Sequence, residues 1–373
     1  MVKRLLMWDE TIFRDPEVFE MDFVPDQFFF RENQTADLAF QIQPGLRGGR
    51  PLNSFCRGPP GTGKTTTVKK LFAEIEETTK RLVPVHVNCQ IDNTRYAIIA
   101  KVYKQLAGHP PQPSGTSFKQ VYEAVCRRIQ KEDIVLIICL DDANYLLHDN
   151  EINNILYPLL RAHEAYENAR VGLIIIFSDM DIDIAAAVDS RVASVLRTTE
   201  VPFPPYTAAE VEEILRMRVS QGFYPNVISE DVFQLVVDRT MRGGDLRAGI
   251  DLLKRAGFLA ERDARRTVTR DDVCKAYEVS QRYHLTSILR SLRDEEKAVL
   301  AVIAEMSGEG AGTAAGEVHA ALKKDMKLSY TRYYEIIRKL DMLRLINLDY
   351  RIGRGRTRVI SLRYDPGIVL DLL

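Results

Sequence analysis

Residues Gly58-Pro59-Pro60-Gly61-Thr62-Gly63-Lys64-Thr65 fit G-x-x-x-x-G-K-[ST], the pattern of a phosphate-cradling loop. A nucleoside triphosphate needs a backbone that comes close to its phosphates and points N–H groups at them. Glycines remove the Cβ that would stand in the way, and a helix starting at the end of the loop adds its positive dipole end. In that chemistry Lys64 reaches the β- and γ-phosphates as a point charge. The Thr65 hydroxyl ligates Mg²⁺. The competing reading is a Gly/Pro loop with no ligand.

A second group of residues supplies carboxylates. The apolar run Ile134–Leu140 ends in Asp141-Asp142. A buried strand that delivers an acid at its C-terminal end is where a phosphoryl-transfer site holds its metal. Asp141 is expected there as the metal-site acid, and Asp142 to orient or activate the attacking water. A strand that leaves for solvent through two acids is the alternative. A second run, Val171–Phe177, ends in Ser178-Asp179, and Asp189-Ser190-Arg191 follows.

These groups need a sheet to carry them. Asn53–Arg57 reads as a strand entering the loop, Thr65–Thr79 as a helix, Leu82–Cys89 as a strand, and Thr94–Ala107 and Ser117–Gln130 as helices. Ile134–Leu140 and Val171–Phe177 are strands buried on both faces, with Glu151–Tyr166 helical between them. Alternation of this kind argues for a parallel α/β sheet. After Pro202-Phe203-Pro204-Pro205 no further strand is expected in that domain. Ala208–Gln221, Ser229–Met241, Asp245–Arg262 and Arg270–His284 read as helices, with caps at Thr207, Ser229 and Thr269. Three further helices, Asp294–Met306, Thr313–Asp325 and Ser329–Leu343, precede a hairpin over Leu345–Tyr364 with its tip at Gly353-Arg354-Gly355. That content fits a C-terminal winged helix-turn-helix. The expected domains are residues 1–203, an α/β P-loop base with its N-terminal segment, 204–286, an all-helical lid, and 287–373, a winged-helix DNA-binding domain.

The 373 residues carry a net charge of −1, so the chain as a whole gives no sign of a polyanionic partner. Its distribution does. Residues 323–363 hold 12 Lys/Arg against 4 acids, a surplus of +8 on a remainder of −9. The five cysteines form no C-x-x-C pair and read as small buried residues of a reduced, cytoplasmic protein. The six histidines are scattered without metal-ligand spacing. No secretory signal is expected, because Asp9 and Glu10 arrive too early. The longest apolar runs have seven residues, far below a membrane span.

The chain resembles the archaeal origin-recognition-type replication initiators of the AAA+ class. The residues that carry the likeness are Val24-Pro25, Arg31-Glu32, Pro51-Leu52-Asn53, Pro205-Tyr206-Thr207, Ile214-Leu215 with Arg218, the stretch 243–257, Val268–Val273 with Ala276, Arg290-Ser291-Leu292 with Glu296-Lys297, and Gly353–Thr357. The resemblance implies ATP or ADP with Mg²⁺ held between base and lid, with Gly61, Thr62, Gly63, Lys64, Thr65 and Thr66 holding the phosphates and Val24, Pro25, Tyr206, Ile214 and Arg218 lining the rest of the pocket. It implies that Asp179 stands at the sensor 1 position, that Arg191 reaches a neighbouring subunit's γ-phosphate, and that Arg247 is the sensor 2 arginine of the lid. A surface helix charge for Arg191 and a solvated or capping arginine for Arg247 remain the plainer readings. It also implies double-stranded origin DNA as a partner, gripped by the winged helix and by a helical insertion within residues 91–120. Other initiator copies or paralogues and the replicative helicase are further implied partners.

Two positions depart from the family pattern. Asp142 stands where the family has Glu, and Asp179 where it has Asn. The Asp142 carboxylate is about 1.5 Å shorter in reach, and misplacement of that order can cost about 10²-fold in rate. The expectation is slow hydrolysis that serves as a switch. Two other classes stay open: an ADP-bound DNA-binding regulator without loading activity, and a clamp-loader-like remodeller.

At the C-terminal end, Tyr333, Ile336, Ile337 and Leu340 form a helix-spaced apolar stripe, read as core. Ser329, Thr331, Arg332, Glu335 and Lys339 fall on other faces, where a recognition helix offers groups to bases and phosphates. The hairpin carries Arg351, Arg354, Arg356 and Arg358, suited to phosphates or a narrow minor groove. An exposed basic hairpin kept for solubility is the alternative. The phenylalanines at 13, 19, 23 and 28–30 are read as core against the P-loop domain rather than as a base-stacking platform.

Overall fold

The computed structural model describes residues 11–25, 29–112, 115–178, 182–243, 245–307, 312–325, 328–343, 345–353 and 355–373. In chain order the elements are α1 (Glu32–Leu46), β1 (Asn53–Arg57), α2 (Lys64–Thr78), β2 (Leu82–Asn88), α3 (Arg95–Ala107), α4 (Phe118–Glu132), β3 (Val135–Asp141), α5 (Glu151–Leu160), α6 (Ala162–Ala165), β4 (Arg170–Phe177), α7 (Ile184–Ala187), α8 (Ser190–Ala193) and β5 (Thr198–Pro202). There follow α9 (Ala208–Gly222), α10 (Glu230–Gly243), α11 (Leu246–Arg262), α12 (Arg270–Ser291), α13 (Asp294–Met306), β6 (Thr313–Ala314), α14 (Ala315–Asp325), α15 (Tyr330–Met342), β7 (Ile346–Gly353), β8 (Gly355–Leu362) and α16 (Pro366–Leu372). Contacts divide them into two compact units, Met21–Ile214, and Met1–Glu20 together with Leu215–Leu373.

The first unit is a five-stranded sheet in the order β2-β3-β4-β1-β5 with every pair parallel. All seven residues of β3 are buried. Leu136, Ile138 and Leu140 face one apolar cluster, while Val135, Ile137 and Cys139 face another. A strand buried on both faces has no polar position to spare until its end, which is why the first acid of β3 is Asp141. The loop after β1 and the acid after β3 leave from the same, C-terminal, edge of the sheet. β4 lies between them, the position where open α/β sheets form their crevice.

Several boundaries differ from the sequence reading. β5 was not expected; its TTEVP sequence is mostly exposed, so it lacks the apolar run that marks the inner strands. The helix over 151–166 is broken at Arg161 into α5 and α6, after Pro158 removes a backbone donor. Two helices, α3 and α4, connect β2 to β3; Thr94 and Ser117, read as their first residues, are instead their N-caps. Four of the five cysteines are buried and all are free.

In the second unit α10, α11 and α12 pack together, and α12 runs to Ser291 rather than stopping at His284. The N-terminal strap belongs here. Phe13 stacks on Phe223 with ring centroids 4.9 Å apart, and Phe13 and Phe258 lie at 5.0 Å. Phe19 and Phe223 lie at 4.8 Å. A Cβ on Gly257 would press into the Phe13 ring. Phe13 and Phe19 are therefore core, as read, but of this unit and not of the P-loop domain. Further along, Tyr333, Ile336, Ile337 and Leu340 of α15 are buried with α13, α14, β7 and β8, as the stripe predicted. β7 and β8 form the expected antiparallel hairpin, with β6 added to β8. Among the described residues no helix is long and apolar enough to cross a membrane.

Candidate functional site

The loop between β1 and α2 holds two glycines at positive φ, Gly61 at 76° and Gly63 at 87°, a region that L side chains avoid. Gly58 is needed for a different reason. A Cβ there would run into the Phe203 carbonyl oxygen, where the chain leaving β5 crosses the loop. Gly63 caps α2 and brings no side chain of its own to the first-turn donors of this fifteen-residue helix. Lys64 is buried, and its ammonium donates to the carbonyl oxygens of Gly58 at 2.7 Å and Pro59 at 2.8 Å. The Thr62 hydroxyl donates to Pro59 O at 2.8 Å. The loop is thus curled on its own lysine.

Asp141 is 4% exposed at the end of β3. Burial by itself would raise its carboxyl. Hydrogen bonds from the His86 imidazole, the Thr65 hydroxyl and the Asp142 N–H, together with the charge of His86, outweigh burial and hold it below the usual carboxylate range. His86 Nε2 lies 2.9 Å from Asp141 Oδ2, and Asp142 N lies 3.0 Å from Asp141 Oδ1. An anionic carboxylate beside a hydroxyl is the hard oxygen pair that Mg²⁺ takes when a phosphate completes the shell. The residues therefore fit the group that the sequence implies. Among the described residues, no cluster of three or more His, Cys, Asp or Glu offers a competing metal site.

Asp142 follows in left-handed backbone, φ 53° and ψ 42°, and accepts a hydrogen bond from the Ser178 hydroxyl at 3.0 Å. Ser178 stands at the end of β4, between the loop and Asp141 in the strand order. Asp179 lies outside the described residues. His86 and Ser178 carry no motif of their own. The signal for His86 was a lone imidazole among the valines of β2, one strand away from an acid.

The remaining predicted residues of this unit are Val24, Pro25, Thr66, Tyr206 and Ile214, all half-buried, and Arg191. Tyr206 lies under the Arg31 guanidinium, 3.8 Å from the ring centroid. Arg191 is exposed at the start of α8 and bonds to Asp189, its neighbouring helix cap, at 2.8 Å. It also stands 5.5 Å from the Tyr157 ring. In the second unit, Arg218 is buried and donates to the Val18 carbonyl at 2.8 Å; burial lowers it to about 10. That contact ties the N-terminal strap to α9. Arg247 is exposed and pairs with its own helix cap, Asp245, at 2.9 Å.

On α15, Ser329 is the N-cap and accepts from Arg332 N at 3.2 Å. Arg332 pairs with Glu295 and Glu335, both at 3.0 Å, which raises its pKa. Lys339 pairs at 2.6 Å with Glu296, a buried acid that also receives the Arg293 N–H at the start of α13. Both cations hold α15 to α13 instead of standing bare. The outer face shows Thr331, Tyr330 at 68% exposure and Tyr334, whose ring carries Arg358 at 4.5 Å. Arg354 lies outside the described residues, and so does the side chain of Arg356.

Comparison with known proteins adds the family. Residues 49–183 match the AAA domain, and residues 212–278 match the Cdc6 AAA+ ATPase-type lid domain. The ORC1-type DNA replication protein 6 of Halobacterium salinarum is 45% identical over 371 residues, 99% of this chain and 98% of that protein.

The chain belongs to the ORC1-type DNA replication proteins.

Among solved structures, the Aeropyrum pernix ORC1 protein in complex with DNA is 29% identical and superposes with a TM-score of 0.68, over 98% of this chain and 97% of that one. The Aeropyrum pernix ORC2 protein in its ADPNP-ADP complexes has a TM-score of 0.76 at 23% identity, over 96% and 97%. This second likeness concerns the fold. An ORC1-type chain is an AAA+ protein of DNA replication, and the parallel sheet with a helical lid is the fold that the sequence indicated.

Proposed function

We propose that this ORC1-type protein is a nucleotide-dependent initiator that binds duplex origin DNA and uses slow ATP hydrolysis as a switch. The observation that carries the nucleotide half is a glycine loop curled on the buried Lys64 ammonium at the start of α2. In this reading Gly61–Thr66 hold the phosphates, and Lys64 exchanges the Gly58 and Pro59 carbonyls for phosphate oxygens. Thr65 and Asp141 hold Mg²⁺, which when bound offsets the charge of the β- and γ-phosphates. Asp142, kept in place by Ser178, orients water. Arg191 and Arg247 leave their neighbouring aspartates when a γ-phosphate is within reach. The three functional segments 1–203, 204–286 and 287–373, the winged-helix role of the last, and the helicase and further initiator copies as partners belong to the same proposal.

The DNA half rests on the +8 surplus of residues 323–363 and on a relative solved on DNA. Arg354, Arg356 and Arg358 of the hairpin, with Thr331 and the exposed start of α15, are the proposed contacts. The test is binding of the protein to duplex fragments of its own chromosome at two salt concentrations, with ATP and with ADP, alongside Arg356→Ala/Arg358→Ala. Tight binding confined to few fragments, lost in the double variant and falling with salt by about 0.9 in log–log slope per phosphate contact, is expected. Equal weak binding to every fragment would remove the initiator reading.

One observation favours a second reading, that of an ADP-bound regulator. Asp142 is a methylene shorter than the family's Glu, and its carboxylate is already engaged by Ser178. Specific DNA binding that ignores the nucleotide present would select it. Turnover above about 1 s⁻¹ would exclude both the slow switch and the regulator.

A further inference from the structure

Arg31 is 3% exposed, yet none of its partners among the described residues is a carboxylate. Its Nε donates to the Thr62 carbonyl at 2.9 Å, its Nη1 to Phe30 O at 2.7 Å and its Nη2 to Pro204 O at 2.7 Å. The guanidinium plane lies over the Tyr206 ring at 3.8 Å. Its own backbone is fixed as well, since its carbonyl accepts from both the Thr35 N–H and the Thr35 hydroxyl at the start of α1. Three segments far apart in sequence therefore meet on one side chain: the turn into α1, the phosphate loop, and the chain that leaves β5 for α9.

A buried guanidinium bonded only to carbonyls keeps its whole charge. Such a cation is expensive to bury, and an anion close by is what would offset it. The anion-binding loop itself is the nearest candidate, because the Thr62 carbonyl that Arg31 holds belongs to the peptide whose N–H side is Gly63, the cap of α2. Fixing that carbonyl fixes the direction of the donors that follow. The planar fork also matters, because Lys could satisfy carbonyls but could not stack on Tyr206 while pointing at three of them.

We propose that Arg31 is a positioning residue of the phosphate loop: by holding the Thr62 and Pro204 carbonyls from one buried fork, it sets the loop to receive a nucleoside di- or triphosphate. Arg31 touches no phosphate in this role. It acts through Thr62. The inference rests on the nucleotide reading above, and the experiment separates the two.

ADP affinity is measured by titration calorimetry for the full chain as wild type, Lys64→Ala, Arg31→Ala and Arg31→Lys, with the melting temperature of each without nucleotide. ADP is expected to bind wild type and not Lys64→Ala. Arg31→Ala is expected to weaken ADP by about 10- to 100-fold, the worth of one or two hydrogen bonds to a charged group. Arg31→Lys should fall on the same side, weakened by at least about tenfold, because it keeps the charge and loses the fork. Variants that melt earlier but bind ADP within about twofold of wild type would make Arg31 a purely structural residue and overturn the inference. So would full rescue by Arg31→Lys, which would assign the effect to charge alone. If Arg31→Ala does not fold, Arg31→Lys decides by the same criterion. Wild type that fails to bind ADP at all would overturn the nucleotide reading itself, a result distinct from either.

Discussion

Around the phosphate loop of the 21–214 unit, Lys64 and Asp141 are buried, and each is held by an atom of the loop or of a strand end. Along α15 of the other unit, Arg332 and Lys339 are only half-buried and are held by carboxylates of α13. The first arrangement spends its hydrogen bonds on fixing groups that point at a ligand. The second spends them on joining two helices. Charge in the sequence therefore means different things in the two places. A lone lysine after glycines marks a site, whereas a run of cations includes several whose task is structural.

The comparison sharpens under mutation. The largest effect is expected at the loop. Lys64→Ala should abolish measurable ADP binding, a loss above about 10²-fold, since a buried ammonium is the loop's only flexible charge. Next, Asp141→Asn should leave ADP affinity without metal close to wild type and erase the gain that Mg²⁺ gives. Calorimetry with and without Mg²⁺ checks both, and an undiminished Mg²⁺ effect would move the metal away from Asp141.

In the other unit the expected effects are on stability. Asp272 is buried at the start of α12. Burial alone would raise its carboxyl, but two short bonds from Arg265, at 2.5 and 2.6 Å, and the Thr269 capping box bring it down to about 2 from 3.8. A depressed acid stabilises the fold above its unfolded pKa and loses that contribution as pH falls through the folded value. Asp272→Asn should therefore cost about 2 kcal/mol at pH 7 by urea unfolding. Its difference from wild type should close as pH drops from about 4 towards 2. The smallest effect is expected at Arg332. Because it is already paired, Arg332→Ala should change duplex affinity by less than about threefold, whereas Arg356→Ala/Arg358→Ala lowers it by at least about tenfold. Equal losses would restore Arg332 as a DNA contact.

The sequence made the inner sheet legible because β3 and β4 are continuous apolar runs that end in polar residues, so strand, burial and site edge were one signal. Asp141 was read for the same reason, the loop by its glycine and lysine spacing, and the apolar stripe of α15 by its helical period. β5 was not, since an exposed edge strand has no such run. The bonds of Ser178 and His86 were missed because they depend on which strands are neighbours, and it is the sheet order that sets β3 between β2 and β4. The pairing of Arg332 and Lys339 was invisible because helix spacing gives the face of a residue and not the acid that waits on the next helix.

The strap of residues 11–20 has a consequence for synthesis. The Thr11 hydroxyl bonds to Glu261, 250 residues later, and the Phe13 backbone bridges to Phe223. The strap leaves the ribosome well before its partners, which emerge only after the whole parallel sheet has been made, on the order of ten seconds or more at ordinary elongation rates. Until then Phe13 and Phe19 have nothing of their own unit to cover them. The nascent chain thus carries these apolar side chains uncovered through the synthesis of the sheet, and the strap finds its place only after the segments that follow it.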